Sequence, residues 1–403
     1  MSKAWKPRTL LFLSSQCCTL FGSTLVQMAI VWYVTLQTAS GAWVAALTVC
    51  AYLPQFLISF VGGVWADRYS RKKLIICADA SIAVVTLALM LLLPHIKQDP
   101  VLLGAILAIS ALRSIGAGIQ TPAVNAVLPS LVPEDQLMRY NGINAAMQSV
   151  VQFAAPAAAG LLLSVSSLRA TLLVDILTAM VGIGLLCGIA IPKQTTPLEK
   201  APIFADMKQG IGYAVRHPLL SRLLAAYGLF IFLCVPAGFL AQLLVSRVYG
   251  DTYWYLTAVE LVGFAGMAGG GVLIGAWGGF KSRVTTLLVG LVAFGILAAG
   301  MGLSRSFLLY LLLMLFYGVA LTMVQTAATT LVQERSDPAM QGRMFGLMGT
   351  MYSGFLPIGM AVFGPLADVI SLRYIMVGSG VALLLLAGWL RISPKFTDKP
   401  AKT

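Results

Sequence analysis

Four ionisable residues lie inside long apolar stretches of this sequence, where a charged side chain has to be explained by its chemistry. They are Asp79, Arg113, Asp175 and Glu260. A charge at the centre of a bilayer costs about 2.5–3.5 kcal/mol even on scales from insertion experiments, so each requires a partner or a water-filled cavity. Side chains of this kind bind ions, carry protons or join helices. All four are therefore candidates for proton or cation coupling.

Glu260 is the most informative of the four. No basic residue lies in its own apolar stretch or in any other apolar stretch of the second half of the chain. Burial disfavours the charged form of a carboxyl that no cation accompanies, so this residue is suited to taking up and releasing a proton. Two alternatives stay open: an ionised Glu260 that contacts a cationic substrate, and a Glu260 that only accepts hydrogen bonds from nearby backbone.

The other three charges suggest contacts within the first half of the chain. Counted from the predicted ends of their apolar stretches at about 1.5 Å per residue, Asp79 and Arg113 lie at similar depths of roughly 8 and 14 Å. We therefore predict that they form a buried ion pair, which is either structural or part of a gate. Asp175 is interpreted as structural, with Arg169 as its partner.

The elements that carry these residues are predicted membrane-spanning helices. The chain of 403 residues is 59% hydrophobic and 10% charged, whereas a soluble domain carries roughly 25% charged residues. Apolar stretches of about 20 residues, the length that crosses a bilayer, recur from end to end. The sequence predicts twelve spans, at 9–33, 43–63, 74–94, 101–122, 140–164, 170–191, 222–246, 253–277, 285–303, 306–331, 344–366 and 373–392.

The net charge of +13 follows from membrane topology and does not indicate a nucleic-acid partner. Of the 27 Lys and Arg residues, 21 fall in the segments that are cytoplasmic when the N-terminus is inside, and five fall in the opposite segments. This asymmetry is the positive-inside rule. It predicts a multi-pass protein of the bacterial inner membrane, surrounded by the lipid bilayer, with both termini in the cytoplasm.

The chain is predicted to consist of two related halves. A polar segment, 193–221, separates a six-helix bundle at 1–192 from a second at 222–403, and 204–215 within it is weakly amphipathic. The segment Gly63–Arg71 resembles Gly275–Arg283 at an offset of 212, with Gly, Trp, Ser and Arg in common. Parallel six-helix repeats with a substrate site near mid-membrane are a transporter design.

The loop after the second span carries a family resemblance. Gly63-Val-Trp-Ala-Asp67-Arg68-Tyr-Ser-Arg71-Lys-Lys is similar to the signature loop between the second and third helices of the major facilitator superfamily, with Ser70 where a glycine is usual. The resemblance implies an all-α membrane fold with twelve helices in two pseudo-symmetric halves. It also implies that Gly63, Asp67, Arg68 and Arg71 belong to a gating loop, whose acid acts on the start of the eleventh span.

Further motifs point to export. Pro156 and Gly160 lie in a segment similar to the helix-packing motif of exporters, with two of its glycines replaced by alanine. Gln16 with Phe21-Gly22-Ser23 and Ala29–Tyr33 resembles the macrolide-efflux branch of the drug:proton antiporters, which also includes siderophore exporters. In this superfamily spans one and ten line the cavity. The resemblance therefore implies six candidate cavity residues: Gln16, Gln27, Trp32, Tyr33, Tyr317 and Gln325. Hydrogen bonds between helices, or aromatic belts at the membrane interfaces, would account for them equally well.

The sequence therefore predicts a monomeric secondary transporter that exports a lipophilic or amphipathic small molecule in exchange for protons. It lacks the nucleotide-binding motif of a primary pump, and it shows neither a cofactor motif, nor a metal-ligand spacing, nor a catalytic constellation of an enzyme. Two other hypotheses remain: a proton-coupled uptake symporter, and a membrane sensor or scaffold that keeps a transporter fold.

Overall fold

A computed structural model describes the backbone of residues 5–96, 98–191, 203–337 and 340–393, and these residues form helices without a β-strand. Twelve of the helical segments are long and apolar enough to cross a membrane. The described helices are α1 Trp5–Thr38, α2 Gly41–Arg68, α3 Arg71–Leu92, α4 Asp99–Leu131, α5 Glu134–Val165, α6 Leu168–Cys187, α7 Ile203–Arg216, α8 Pro218–Gly238, α9 Ala241–Val248, α10 Tyr253–Trp277, α11 Arg283–Leu303, α12 Phe307–Arg335, α13 Gln341–Val369 and α14 Leu372–Ile392.

The twelve predicted spans are confirmed, with two differences that matter for the functional residues. The fourth helix continues to Leu131, about nine residues beyond the predicted end of its span, because Pro122 and Pro129 lie inside the helix and indicated an earlier end. The seventh span is divided into α8 and α9. Pro236 lies near this break, where a missing backbone N–H weakens the helix.

The chain forms two compact units. The first comprises 1–38, 46–199 and 252–257. Within it α1 packs against α5 and α6, and α3 packs against α4 and α6. Glycine permits the closest approach between α2 and α4, because a side chain on Gly62 would lie 2.5 Å from the carbonyl oxygen of Gly118. Close helix contacts at small residues are typical of membrane bundles.

The second unit comprises 39–45, 200–251 and 258–403. Within it α8 packs against α13 and α14, and α11 packs against α12 and α14. Gly295 and Gly380 bring α11 and α14 together, since a side chain on either would meet the other's backbone oxygen within 3 Å. The short helix α7 lies in the segment for which the sequence predicted an amphipathic helix, and it packs against α8 and α13.

Both units contain the same arginine contact at the turn after their second span. In the first unit the guanidinium of Arg71 donates to the carbonyl oxygen of Ala66 at 3.2 Å and to that of Ala126 at 2.6 Å. In the second, Arg283 donates to the carbonyl oxygen of Gly278 at 2.7 Å. Donor and acceptor are both displaced by 212 residues, the offset of the sequence repeat.

Other parts of the predicted gating loop have less structural support. Gly63 is not required by close packing, because a Cβ there would meet nothing within 4 Å. Arg68 is exposed at the end of α2. The side chain of Asp67 and the linker residues 192–202 lie outside the described part of the chain, so the gating role of Asp67 stays a prediction.

Candidate functional site

Two adjoining cavities lie inside the first unit. Their volumes are about 390 Å³ and 220 Å³. Both are lined by Ser23, Gln55, Ile82, Ala117 and Gln152, so they adjoin each other, and we call them together the amide cavity. Its walls come from α1, α2, α3, α4 and α5.

Carboxamides dominate the polar lining of the amide cavity. Three of them, Asn144, Gln148 and Gln152, follow each other at four-residue spacing and form one stripe along α5. The full set is Gln16, Gln27, Gln55, Gln120, Asn125, Asn144, Gln148 and Gln152. Each amide carries two donors and an acceptor, so the cavity can bind hydroxyl, carbonyl and amine groups without presenting a net charge at these positions.

Asp79 contacts the wall of this cavity through one amide. Its carboxyl is 4% exposed, and its Oδ1 accepts a hydrogen bond of 2.6 Å from Nε2 of Gln120. Gln120 itself lines the larger cavity. The second oxygen, Oδ2, is buried and has no hydrogen-bond partner among the described residues. Asp79 is therefore a membrane carboxyl bound to a glutamine instead of to a cation.

Arg113 pairs with Asp175, and the predicted Asp79–Arg113 ion pair is wrong. Nη1 of Arg113 lies 2.5 Å from Oδ2 of Asp175. Thr86 completes the group, because its hydroxyl donates to Asp175 at 3.1 Å and accepts from Arg113. Arg169, the partner predicted for Asp175, is exposed at the start of α6 instead. Arg113 also lines the smaller cavity.

The length of α4 explains the incorrect pairing. Because α4 ends at Leu131, Arg113 lies about 27 Å from that end at 1.5 Å per residue, roughly twice the predicted depth. In the antiparallel pairing of α3 with α4, Gln120 lies beside Asp79 and Arg113 lies beside Thr86. The two predicted partners are thus separated by about two helical turns.

Glu260 has the same kind of partner in the second unit. Its Oε2 accepts a hydrogen bond of 2.9 Å from Nε2 of Gln242. Gln242 lies at the start of α9, directly after the break in the seventh span, and its own Oε1 is buried with no described partner. No Lys or Arg among the described residues forms an ion pair with Glu260 or Asp79, as the sequence predicted for Glu260.

The predicted cavity residues divide into two groups. Gln16 lines the larger cavity and Gln27 lines the smaller one. Trp32 is fully buried in the core, which corrects its assignment to the cavity. It lies about 140° around α1 from Gln27, at 100° per residue, so the two cannot share a face. Tyr33 is half-buried and does not line the amide cavity.

The two candidates of the tenth span lie in the second unit. Tyr317 is 2% exposed, and its ring lies 4.2 Å from that of Phe294. This aromatic contact places it in the core of its unit, which corrects its assignment as a cavity residue. Gln325 is half-buried, and its backbone oxygen accepts a hydrogen bond from Thr329; it stays a candidate.

The exporter-like segment of α5 has a definite packing role at one position. Pro156 lies inside the helix. A side chain on Gly160 would overlap the hydroxyl of Thr257, which belongs to the same unit. Glycine at 160 thus allows a close approach that alanine would prevent.

Sequence reasoning missed most of the amide cavity, including Gln55, Gln120, Asn144, Gln148 and Gln152. A signal was present: amides at four-residue spacing inside an apolar helix form a polar stripe. Gln242 had no comparable signal, since its contact with Glu260 depends on the helix break.

Comparison with known proteins gives the family. The model of the Major Facilitator Superfamily matches residues 12–360, which is most of the chain. The chain belongs to the major facilitator superfamily. Members of this family are transporters. A nucleoside transporter, NupG, has the same fold, with a TM-score of 0.75, 12% identity, and coverage of 94% of this chain and 98% of that one.

Two curated relatives are similar along most of their length. The macrolide efflux protein A of Streptococcus pyogenes is 29% identical over 387 residues, covering 95% of both proteins. The protein of the same name from Enterococcus faecalis is 30% identical over 323 residues, covering 79% of this chain and 99% of the relative. The resemblance to the macrolide-efflux branch that the sequence motifs indicated is therefore confirmed.

Proposed function

We propose that this protein exports amphipathic small molecules across the inner membrane in exchange for protons, by alternating access. The observation that carries the proposal is the amide cavity, which is attached to a buried carboxyl without a cation. A cavity with polar groups in a membrane bundle supplies a binding site, and a carboxyl that can change its protonation supplies the coupling. Similarity to two macrolide efflux proteins supports export as the direction.

The lining suits a bulky ligand with both polar and apolar groups. Alongside its amides the cavity presents apolar side chains, among them Leu13, Leu20, Ile82 and Val124. Macrolide-like compounds combine hydroxyl groups with an apolar ring and fit this mixture, and a siderophore or another amphipathic metabolite is the second candidate class.

Two carboxyls are the proposed proton carriers, Asp79 and Glu260. Each is held by a glutamine, and burial penalises the ionised form when no cation compensates it. Arg113 and Asp175 neutralise each other, which favours a supporting role in the wall of the cavity. The protein is proposed to act as a monomer with both termini in the cytoplasm, and Asp67 with Arg68 and Arg71 is proposed to close the cytoplasmic side.

Transport into proteoliposomes tests the function. Purified protein is reconstituted, a pH gradient is imposed, and accumulation of erythromycin, ethidium and iron-free enterobactin is measured, with protein-free liposomes as control. Exchange of at least one compound against protons is expected, and collapse of the gradient with an ionophore should abolish accumulation. Movement of the compound in the same direction as the protons would favour an uptake symporter. Binding without movement would favour a sensor.

A further inference from the structure

The break between α8 and α9 leaves backbone polar groups without partners inside the second unit. Phe239 and Leu240 both donate their backbone N–H groups to the carbonyl oxygen of Val235. The carbonyl oxygens of 236–239 and the N–H groups of 241–243 then have no backbone partner within this span. Most of these residues are buried, and polar backbone groups at such a depth need a partner other than lipid.

Glu260 lies at the depth of this break. Leu240 is about 12 Å from the end of the seventh span at Val248, and Glu260 is about 10 Å from the start of α10 at Tyr253, counted at 1.5 Å per residue. The Nε2 of Gln242 donates to Oε2 of Glu260 at 2.9 Å. This glutamine is nine-tenths buried, and its Oε1 has no hydrogen-bond partner in the described part of the chain. A carboxylate, an unpaired amide oxygen and unpaired carbonyl oxygens thus occur at one level of the second unit.

The two helix ends at the break offer different chemistry. The last carbonyl oxygens of α8 carry partial negative charge, and the first N–H groups of α9 carry partial positive charge. In broken membrane helices the N–H end favours an anionic group, whereas unwound carbonyl oxygens coordinate a cation. The start of α9 carries Gln242 beside Glu260, so it favours the ionised carboxylate, and the end of α8 supplies oxygen ligands for a cation.

The carboxyl of the first unit lacks these backbone oxygens. Asp79 is also held by a glutamine, Gln120. Both residues lie inside helices, α3 and α4, that continue through them without a break. No run of unpaired carbonyl oxygens arises beside Asp79, so the two carboxyls differ in the ligands that surround them.

The charges near Glu260 favour a monovalent cation. No Lys or Arg in the described ranges pairs with it, and Arg247, the basic residue of α9, pairs with Asp368 at 2.6 Å instead. No further acid, histidine or cysteine completes a cluster of metal ligands among the residues that the structure describes. One carboxylate neutralises one positive charge, whereas a divalent ion would keep an uncompensated charge inside the membrane.

We propose that Glu260, Gln242 and the free carbonyl oxygens at the end of α8 form a binding site for Na⁺. The carboxylate supplies the charge. The amide of Gln242 turns its oxygen to the ion, since an amide can present either its oxygen or its NH₂ group, and the carbonyl oxygens of 236–239 complete the shell. The inference goes beyond the proposed function, in which Glu260 takes up a proton, because the ionised form of the same residue here holds a second kind of ion.

Equilibrium binding of radioactive Na⁺ tests the site. Purified protein in detergent, in a mildly alkaline buffer without sodium, is titrated with the isotope while choline chloride holds the ionic strength constant. Binding of about one Na⁺ per protein is expected, because the site has a single carboxylate. Unlabelled Na⁺ should displace the isotope and choline should not. Saturating Na⁺ should also raise the unfolding temperature by about 2–4 °C relative to choline.

Variants locate the ion. Glu260→Gln keeps the shape of the side chain and removes its charge, so it should abolish Na⁺ binding. Gln242→Leu removes the amide oxygen and should weaken the affinity by about tenfold or more. The matched control, Glu334→Gln, removes an acid of the same unit whose pair with Arg283 is largely exposed, and it should bind Na⁺ as the wild type does.

A measurement on the wild-type protein covers the case in which a variant does not fold. Dicyclohexylcarbodiimide modifies carboxyls inside membranes, and mass spectrometry identifies the modified residue. Na⁺ should slow the modification of Glu260 severalfold relative to choline, because the bound ion covers the carboxylate. The modification of Asp79 is the internal control and should proceed at the same rate in both salts.

The possible results distinguish the Na⁺ site from the proposed function. Absence of Na⁺ binding, or equal modification of Glu260 in Na⁺ and choline, would overturn the site and would indicate buried water at the unpaired oxygens. Proton-driven accumulation in proteoliposomes would then still support the proposed function. Na⁺ binding that persists in Glu260→Gln would also overturn the site, since the ion would lie elsewhere. Na⁺ binding by a protein that moves none of the three compounds would contradict the proposed function alone.

Discussion

Single residues repeat one arrangement: a membrane carboxyl held by the Nε2 of a glutamine. Gln120 lines the amide cavity, whereas Gln242 is nine-tenths buried. Asp79 is therefore in contact with a residue of the cavity wall, and Glu260 with a buried residue. Glu260→Gln keeps the shape and fixes the neutral state. We expect this variant to bind erythromycin and to exchange it passively, but to lose accumulation driven by a pH gradient. Undiminished accumulation would leave Glu260 with a structural role.

The ion pair of Arg113 with Asp175 yields a prediction about stability. Both side chains are buried, so Asp175→Asn strands the guanidinium and should destabilise the protein by about 3–5 kcal/mol. The double variant Arg113→Met with Asp175→Leu should recover most of this loss. Unfolding in detergent measures both. Glu334→Gln is the control, because its pair with Arg283 is largely exposed and should contribute no more than about 1 kcal/mol. An equal effect of both single variants would contradict the assignment.

The sequence identified the buried charges but not their partners, and the reason lies in particular residues. Hydrophobicity alone shows that four charged residues are inside spans: Asp79, Arg113, Asp175 and Glu260. They are noticeable because a charge there is rare. Their pairing depends on axial register, which shifts when a helix continues past its predicted end, as α4 does to Leu131.

The membrane-spanning helices were predictable from hydrophobicity as well. The prediction failed where a helix breaks, because composition does not show such a break. Twelve spans follow from length and apolarity. The break between α8 and α9 does not, because proline is often accommodated within a membrane helix. That break places Gln242 beside Glu260, so an element boundary determines the surroundings of a functional candidate.

The start of α2 is held by a carboxylate within the second unit, which includes 39–45. Asp368 accepts hydrogen bonds from the backbone N–H groups of Gly41 at 2.6 Å and Ala42 at 2.9 Å, and it pairs with Arg247 at 2.6 Å. Negative charge at a helix N-terminus is stabilising. We call these residues the Asp368 cluster.

Asp368→Asn should loosen the first turn of α2. Loss of a cap costs about 1 kcal/mol, equivalent to roughly fivefold faster hydrogen exchange. We expect that increase at the amides of Gly41 and Ala42, measured by exchange and mass spectrometry, with peptides from α11 as an internal control. Equal exchange in wild type and variant would show that water replaces the carboxylate without cost.

At the scale of the whole molecule, the two halves resemble each other more in their loops than in their spans. Arg71 and Arg283 make equivalent contacts at an offset of 212, yet their other partners differ: the carbonyl oxygen of Ala126 in one unit and the carboxylate of Glu334 in the other. The polar residues inside the units differ further, since the amide cavity belongs to the first. Two related scaffolds thus carry different chemistry.

Membrane orientation is the property of the whole molecule that the sequence predicts most directly. Moving a basic segment across the membrane is opposed, so segments rich in Lys and Arg stay in the cytoplasm, and 21 of the 27 basic residues belong to segments that this places inside. In a background without the six native cysteines, single cysteines at Lys97 and Asp251 should react with a membrane-impermeant maleimide in intact cells. A cysteine at Thr196 in the linker should react only after lysis, and a reporter fused after Lys402 should be active only in the cytoplasm. Labelling of the linker from outside would contradict the predicted orientation. The predicted sides of the membrane would then have to be exchanged, and with them the proposed direction of transport.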